Sequence, residues 1–211
     1  MSDERVKLVL ASASPRRLAL LEQAGLEPDL LNPADIDETA KKRETPRSLA
    51  TRLAKEKAQK AITMPLVTAL NGDVFVLAAD TVVALGRRVL GKPETAAEAS
   101  EMLQLLSGRA HKVFTAISLI TPSGSQKTRV VDSKVRFKRL SREDIDSYLI
   151  CDEWRGKAGA YAIQGRAGAF VRYMSGSYTG VVGLPLYETI AMLDGAGYPV
   201  YYNWMNAKSL E

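Results

Sequence analysis

Residues 6–25 constrain the fold most, because they predict a buried strand, a short loop and a helix in immediate succession. The apolar residues 8–11 predict the strand, and leucines at helical spacing after Pro15 predict the helix. Ser14 suits the N-cap position, Pro15 the first helical position, and Gly25 the helix end. A strand followed this closely by a helix favours an α/β protein.

Two arginines, Arg16 and Arg17, lie in the first turn of this predicted helix, just after Ser12. The first turn of a helix has backbone N–H groups without partners, and the helix dipole adds partial positive charge there. Two guanidinium groups at this end are unfavourable unless an anion binds, so the segment predicts a phosphate site. The alternative is a pair of solvated arginines on a surface helix, and this segment alone does not separate the two.

Further along the chain, strand and helix patterns alternate without an internal repeat. Residues 74–79 predict the most apolar strand, which is expected to end at Asp80 and Thr81. The carboxyl end of a central strand is where α/β folds often place ligand chemistry. Residues 81–90 predict a hairpin, the last helix is expected to start near Pro185, and the final residues of the chain are expected to be loosely attached.

A second helix is predicted from Thr45 and Pro46 to about Ala61, and its apolar stripe contains one lysine, Lys57. A lysine that points inward costs free energy unless it meets a negative charge. The alternative is a snorkelling lysine at the edge of the stripe. Lys92 lies between a glycine and a proline, which favours a fixed loop position.

The composition excludes several kinds of site. The single histidine, His111, argues against a serine–histidine relay and a multi-histidine zinc site, and the single cysteine, Cys151, excludes an internal disulfide. The net charge of +5 favours anionic partners. No apolar stretch approaches the roughly 20 residues of a membrane helix, and no signal-peptide pattern is present, so a cytoplasmic protein is expected.

Seven charged residues stand out by their local sequence context: Arg16, Arg17, Asp37, Glu38, Lys57, Asp80 and Lys92. Together they predict a triphosphate cradle that faces carboxylates. A hard cation such as Mg²⁺ is commonly bound by one or two carboxylates plus substrate phosphates. No P-loop motif is present, which disfavours a P-loop kinase or ATPase.

The chain resembles the Maf family of nucleotide pyrophosphatases, the septum-formation-inhibitor group, over about residues 8–193. Five stretches carry the resemblance in order and spacing: residues 10–17, 52–58, 79–83, 90–93 and 159–165. It implies an α/β fold with a central twisted mixed β-sheet flanked by helices. It also implies one domain over residues 1–211, with two lobes that share the sheet and a cleft between them, usually as a homodimer.

The resemblance further implies hydrolysis of a nucleoside triphosphate between the α and β phosphates, with a divalent metal cation, Mg²⁺ or Mn²⁺, as cofactor. The implied catalytic residues are Asp80, Lys57 and Lys92, with Asp80 as general base or metal ligand and Glu38 beside it on the metal. Ser12, Arg16 and Arg17 would bind phosphates together with the two lysines, and Thr81 and Gln164 would position substrate or water. The alignment places Asp37 less securely.

Residues 162–165, Ala-Ile-Gln-Gly, resemble the family group that acts on dTTP, UTP and related pyrimidine nucleotides. The alternatives are a 7-methyl-GTP pyrophosphatase of the same family, or a regulatory protein that binds nucleotides or nucleic acid without hydrolysis. A nucleic-acid partner is not expected, because the basic residues lack the interleaved aromatic residues of a single-strand platform. Residues 177–180 depart from the family's usual run and leave the base preference open.

Overall fold

The computed structural model describes residues 6–206 and contains one open seven-stranded sheet. The strands are β1 (Lys7–Leu10), β2 (Leu30–Leu31), β3 (Val74–Leu85), β4 (Arg88–Leu90), β5 (Ala110–Ile120), β6 (Gln126–Phe137) and β7 (Val171–Ser175). Their order is β2-β1-β3-β5-β6-β7, and β4 pairs with β3. The β2–β1 and β1–β3 pairs are parallel and the others antiparallel, so the predicted mixed sheet is confirmed.

Eight α-helices accompany the sheet within the described residues: α1 (Pro15–Gln23), α2 (Pro46–Ile62), α3 (Pro65–Thr68), α4 (Ala96–Leu106), α5 (Arg142–Ile150), α6 (Tyr178–Val182), α7 (Leu186–Asp194) and α8 (Val200–Asn206). The predicted starts of α1 and α2 are confirmed: Ser14 and Thr45 are the N-cap residues, and a proline follows each. Between residues 6 and 206, no helix combines the length and apolarity that a membrane crossing requires.

Helix α2 covers one face of the sheet, and α1, α4, α5 and α7 contribute to the core on the other face. Because successive strand residues point to opposite faces, β3 serves both cores. Val82 and Ala84 pack with the apolar stripe of α2, whereas Leu77 and Val83 pack in the larger core. Asp80 shares the α2 face with Val82, and Thr81 lies on the opposite face.

The expected end of a strand at Asp80 is wrong, because β3 continues without interruption to Leu85. Its pairing with β5 holds one register from Val76 to Ala84, so Asp80 lies in mid-strand. The other edge of β3 is discontinuous: β1 pairs as far as Leu77, and β4 pairs only from Val83. Residues 78–82 therefore have no partner strand on this edge among the described residues, and we call this stretch the β3 gap.

The chain after α7 is attached to the fold as far as residue 206, whereas the final residues, which were expected to be loosely attached, lie outside the described residues. Tyr198 and Val200 are buried in the larger core, and α8 follows them. The ring of Trp204 lies over Gly25, and its indole N–H donates to the carbonyl oxygen of Ala24. These contacts tie the end of the described chain to the end of α1.

Candidate active site

A cleft of about 370 Å³ opens at the β3 gap, within the size range of small-molecule sites. Every site residue that the sequence predicts, Asp37 excepted, lines this cleft: Ser12, Arg16, Arg17, Glu38, Lys57, Asp80, Thr81, Lys92 and Gln164. They come from the loop after β1, the first turn of α1, the segment before α2, and α2, β3 and the loops after β4 and α5. The structure thus brings together residues up to 152 positions apart in the sequence.

The centre of the cleft is an ion-pair cluster around Lys57. Its ammonium nitrogen lies 2.5 Å from Glu38 Oε1 and 2.6 Å from Asp80 Oδ1. Lys57 reaches this position because it belongs to the buried stripe of α2, and it is 9% exposed. The snorkelling alternative is therefore wrong for Lys57. Burial alone would raise the pKa of Glu38, but the hydrogen bond and charge of Lys57, with Lys92, hold that pKa below its ordinary value.

Lys92 completes the cluster from the loop after β4. Its ammonium nitrogen lies 3.7 Å from Glu38 Oε2, and its side chain is 60% exposed, so it remains free to pivot toward a ligand. The loop is held by a hydrogen bond from Gly159 N–H to the carbonyl oxygen of Gly91. Gly159 has φ +71°, and a Cβ there would meet Val83 Cγ1 at 2.8 Å. Only glycine fits this turn, which fixes the base of Lys92.

Arg17 is held by three acceptors from three parts of the chain. Its Nε donates to the carbonyl oxygen of Gly183 at 2.9 Å, Nη1 to Ser12 Oγ at 3.1 Å, and Nη2 to Thr81 Oγ1 at 3.4 Å. Gly183, with φ +142°, permits the close approach of its backbone to the arginine. A guanidinium has five N–H groups. Two of those on Arg17 are therefore left for a ligand, as far as the described residues go.

Arg16 and Lys157 form the opposite, cationic wall of the cleft. Burial lowers the pKa of Arg16. Burial and the nearby positive charge of Arg16 lower the pKa of Lys157. Lys157 was not predicted from the sequence; its only signal is a place just before the glycine-rich stretch, and its approach to α1 depends on tertiary structure. Two cations that lower each other's preference for the charged form in this way favour the binding of an anion.

The remaining predicted residues differ in position. Gln164 lies exposed at the cleft, where it can reach a ligand. Thr81 lies on the face opposite Asp80 and contacts Thr115. Asp37 is exposed and outside the cleft, and its carboxylate accepts a hydrogen bond from the N–H of Thr39. Hydrogen bonds from the side chain and the backbone of Thr39 lower the pKa of Asp37.

The donor set fits a divalent cation that also binds phosphate. Within residues 6–206 no group of three or more histidine, cysteine or carboxylate side chains is placed to hold a metal ion. Glu38 and Asp80 supply two carboxylates, which both contact the ammonium group of Lys57. Mg²⁺ is commonly bound through one or two carboxylates, with the other positions filled by substrate phosphates and water.

The charges that line the cleft do not balance. Five cationic side chains, Arg16, Arg17, Lys57, Lys92 and Lys157, face two carboxylates, Glu38 and Asp80. The excess of three positive charges in a half-enclosed site attracts a polyanion and lowers the repulsion between that anion and an incoming nucleophile. The arrangement is suited to breaking a phosphoanhydride bond.

Comparisons with known proteins agree with this chemistry. A family model described as "Maf-like protein" matches residues 7–196. A dTTP/UTP pyrophosphatase of Rhodopseudomonas palustris (strain HaA2) is 61% identical over 204 residues, which cover 96% of this chain and 98% of the relative. A dTTP/UTP pyrophosphatase of Mesorhizobium japonicum is 57% identical over 202 residues, covering 96% and 97%. Among solved structures, a HAM1 protein from Coxiella burnetii is 20% identical over 65% of this chain and 76% of that chain, with a TM-score of 0.43.

Proposed function

The chain belongs to the Maf family, and from that premise we propose that it hydrolyses dTTP and UTP to the nucleoside monophosphate and pyrophosphate. The observation that carries the proposal is the convergence of five cationic side chains and two carboxylates on one cleft. Two relatives that are 61% and 57% identical over nearly the whole chain are named dTTP/UTP pyrophosphatases, which supports the pyrimidine preference.

The proposed reaction begins with the polyphosphate held along the cationic wall. Ser12, Arg16 and Arg17 bind its oxygens at the first turn of α1, where the helix dipole also favours negative charge. Lys92, whose side chain is 60% exposed, offsets charge that develops on the leaving pyrophosphate. Lys157 adds a further positive charge on the side of Arg16.

Asp80 is the proposed acceptor of the proton of the attacking water or a ligand of the metal ion. Its Oδ1 atom accepts a hydrogen bond from Lys57, which holds the carboxylate in place. Glu38 and Asp80 would hold a divalent cation, Mg²⁺ or Mn²⁺, together with phosphate oxygens. Such a cation supplies Lewis-acid stabilisation of the charge that builds up on the phosphates.

Pyrophosphate release from a panel of nucleotides tests the proposal. With Mg²⁺ or Mn²⁺, dTTP and UTP are expected to be hydrolysed fastest, CTP and ATP slowly, and EDTA should stop the reaction. Fastest hydrolysis of 7-methyl-GTP would favour the other group of the family. Absence of release from every nucleotide, combined with salt-dependent binding of an oligonucleotide, would support the regulatory alternative and reject the enzyme.

The same proposal includes a cytoplasmic homodimer in which residues 1–211 form one domain with two lobes. Light scattering of the purified protein at micromolar concentration tests the dimer, with a mass of twice 23.0 kDa expected.

A further inference from the structure

Two threonines stand directly opposite each other on the sheet face that Asp80 does not use. Thr81 on β3 pairs with Thr115 on β5, and their hydroxyl oxygens lie 3.1 Å apart. Thr115 is 1% exposed and does not line the cleft. Its hydroxyl oxygen also lies 2.6 Å from the carbonyl oxygen of Gly180 in α6. On the other side, Arg17 Nη2 donates to Thr81 Oγ1.

Thr115 is the donor in both of its contacts. Its hydroxyl group donates to the carbonyl oxygen of Gly180 at the short distance and lies in position to donate to Thr81 Oγ1. Thr81 Oγ1 also accepts from Arg17 Nη2. The Thr81 oxygen is therefore held between Arg17 and Thr115, and Thr115 is anchored on Gly180. Left without Thr115, the buried carbonyl oxygen of Gly180 would lose its hydrogen bond, which is costly.

Ser12 provides the contrast. Its oxygen accepts from the N–H of Ser14 at 3.2 Å and from Arg17 Nη1 at 3.1 Å. Both bonds use its lone pairs, so the hydrogen of Ser12 is left for a ligand, as judged from residues 6–206. Thr81 differs in its anchoring, because its oxygen lies between Arg17 and a buried hydroxyl group on β5.

We propose that Thr115 and Thr81 are positioning residues, which orient the guanidinium group of Arg17 so that its two remaining N–H groups point at the phosphates. This rests on the proposed phosphate site but assigns Thr81 differently from the family resemblance, which has it position substrate or water directly. Thr115 acts from the neighbouring strand β5, through Thr81. The same end of α6 holds Arg17 twice, at Gly183 directly and at Gly180 through the two hydroxyl groups.

A mutant cycle that uses inorganic pyrophosphate as the probe tests this assignment. Thr115→Val and Thr81→Val remove the hydroxyl groups with little change in shape, and each is expected to weaken pyrophosphate binding by about fivefold in calorimetry. The double variant should be no weaker than either single variant. Thr115→Ser keeps the hydroxyl and should bind within about twofold of the wild type. Ser118→Ala is the matched control, because Ser118 is a buried hydroxyl on β5 that bonds Thr128 away from Arg17.

The decisive measurement repeats the substitutions in an Arg17→Met background. There, Thr115→Val and Thr81→Val should have no further effect on pyrophosphate binding, because the group that they orient is gone. An effect on pyrophosphate binding that persists in this background would mean general structural damage. Weaker binding in Thr81→Val but not in Thr115→Val would mean that Thr81 contacts the ligand directly. Either result overturns the proposal. If Thr115→Val does not fold, Thr81→Val in the two backgrounds makes the same decision.

Failure of the proposed function would look different. In that case the wild type would release no pyrophosphate from any nucleotide, while the binding cycle with inorganic pyrophosphate would still report whether Arg17 is oriented by the threonines.

Discussion

Replacing Lys57 with methionine should lower the free energy of unfolding by about 2–4 kcal/mol at pH 8, because it strands a buried carboxylate. Methionine preserves most of the packing of the lysine stem and removes only the ammonium group. The Asp80 side chain, 9% exposed, then loses its partner at 2.6 Å. Breaking one side of a buried ion pair typically costs about 3–5 kcal/mol. We lower that range because Glu38, the other partner, is 45% exposed and water screens it.

The distances support this magnitude independently. Glu38 and Asp80 each have an oxygen in contact with the same nitrogen atom, so those two oxygens lie within about 5 Å of each other. Two negative charges at that separation repel by about 3 kcal/mol at an effective dielectric constant of ~20. Without the ammonium group this repulsion is uncompensated, and the solvent around Glu38 removes part of it.

Thermal and urea unfolding provide the assay. For a chain of this size, the loss corresponds to a fall in melting temperature of about 5–15 °C. Lys60→Met is the matched control on the exposed side of the same helix and should change the melting temperature little. Adding Asp80→Asn to Lys57→Met should restore at least about half of the loss, since the stranded charge is then gone. Equal melting temperatures for Lys57→Met and Lys60→Met would refute the reasoning about the buried ion pair.

Three further outcomes are expected. Asp80→Asn should abolish pyrophosphate release and stay folded by circular dichroism, with the exposed Asp73→Asn as an active control; an active Asp80→Asn protein would remove Asp80 from the mechanism. Arg16→Gln should raise the KM for nucleotide about tenfold, because it removes a charge-assisted contact, and should leave the melting temperature unchanged. An unchanged KM would mean that Arg16 does not contact the nucleotide. Burial lowers the pKa of His111 from 6.5 to about 4. As the pH drops below 6.5, the histidine is therefore protonated in the unfolded chain before it is protonated in the folded chain, and the free energy of unfolding falls. His111→Phe should therefore reduce the loss of stability between pH 6.5 and 4.5 by about 2 kcal/mol in urea titrations, and an unchanged pH dependence would contradict this account.

Local sequence patterns predicted the parts of the fold that depend on neighbours in the chain. Thr45 and Pro46 mark the start of α2 through capping and a fixed φ angle, both local effects. The stripe of α2 predicts the inward face of Lys57 from helical periodicity alone. The same holds for Arg16 and Arg17, whose place in the first turn of α1 follows from the preceding Ser14-Pro15 pair.

Features that depend on distant pairing could not be predicted in this way. The sequence around Asp80 does not reveal that β5 continues the pairing while β1 stops, so the continuation of β3 was missed. The attachment of α8 depends on Trp204 and Gly25, which are far apart in the chain. Thr115 resembles any other residue of a buried strand until Thr81 and Gly180 lie beside it.

The uninterrupted pairing of β3 with β5 has a consequence for the chemistry. Asp80 and Thr81 are consecutive residues on opposite sides of the sheet, one beside Lys57 and the other beside Arg17. A slip of a single residue that moved Asp80 into the place of Thr81 would present a carboxylate to the guanidinium group and leave Ala79 opposite the ammonium group. The nine matched pairs from Val76 to Ala84 therefore determine which side chain of β3 faces each side of the site. A chain in which β3 and β5 paired one residue out of register would keep its secondary structure but would have no catalytic activity.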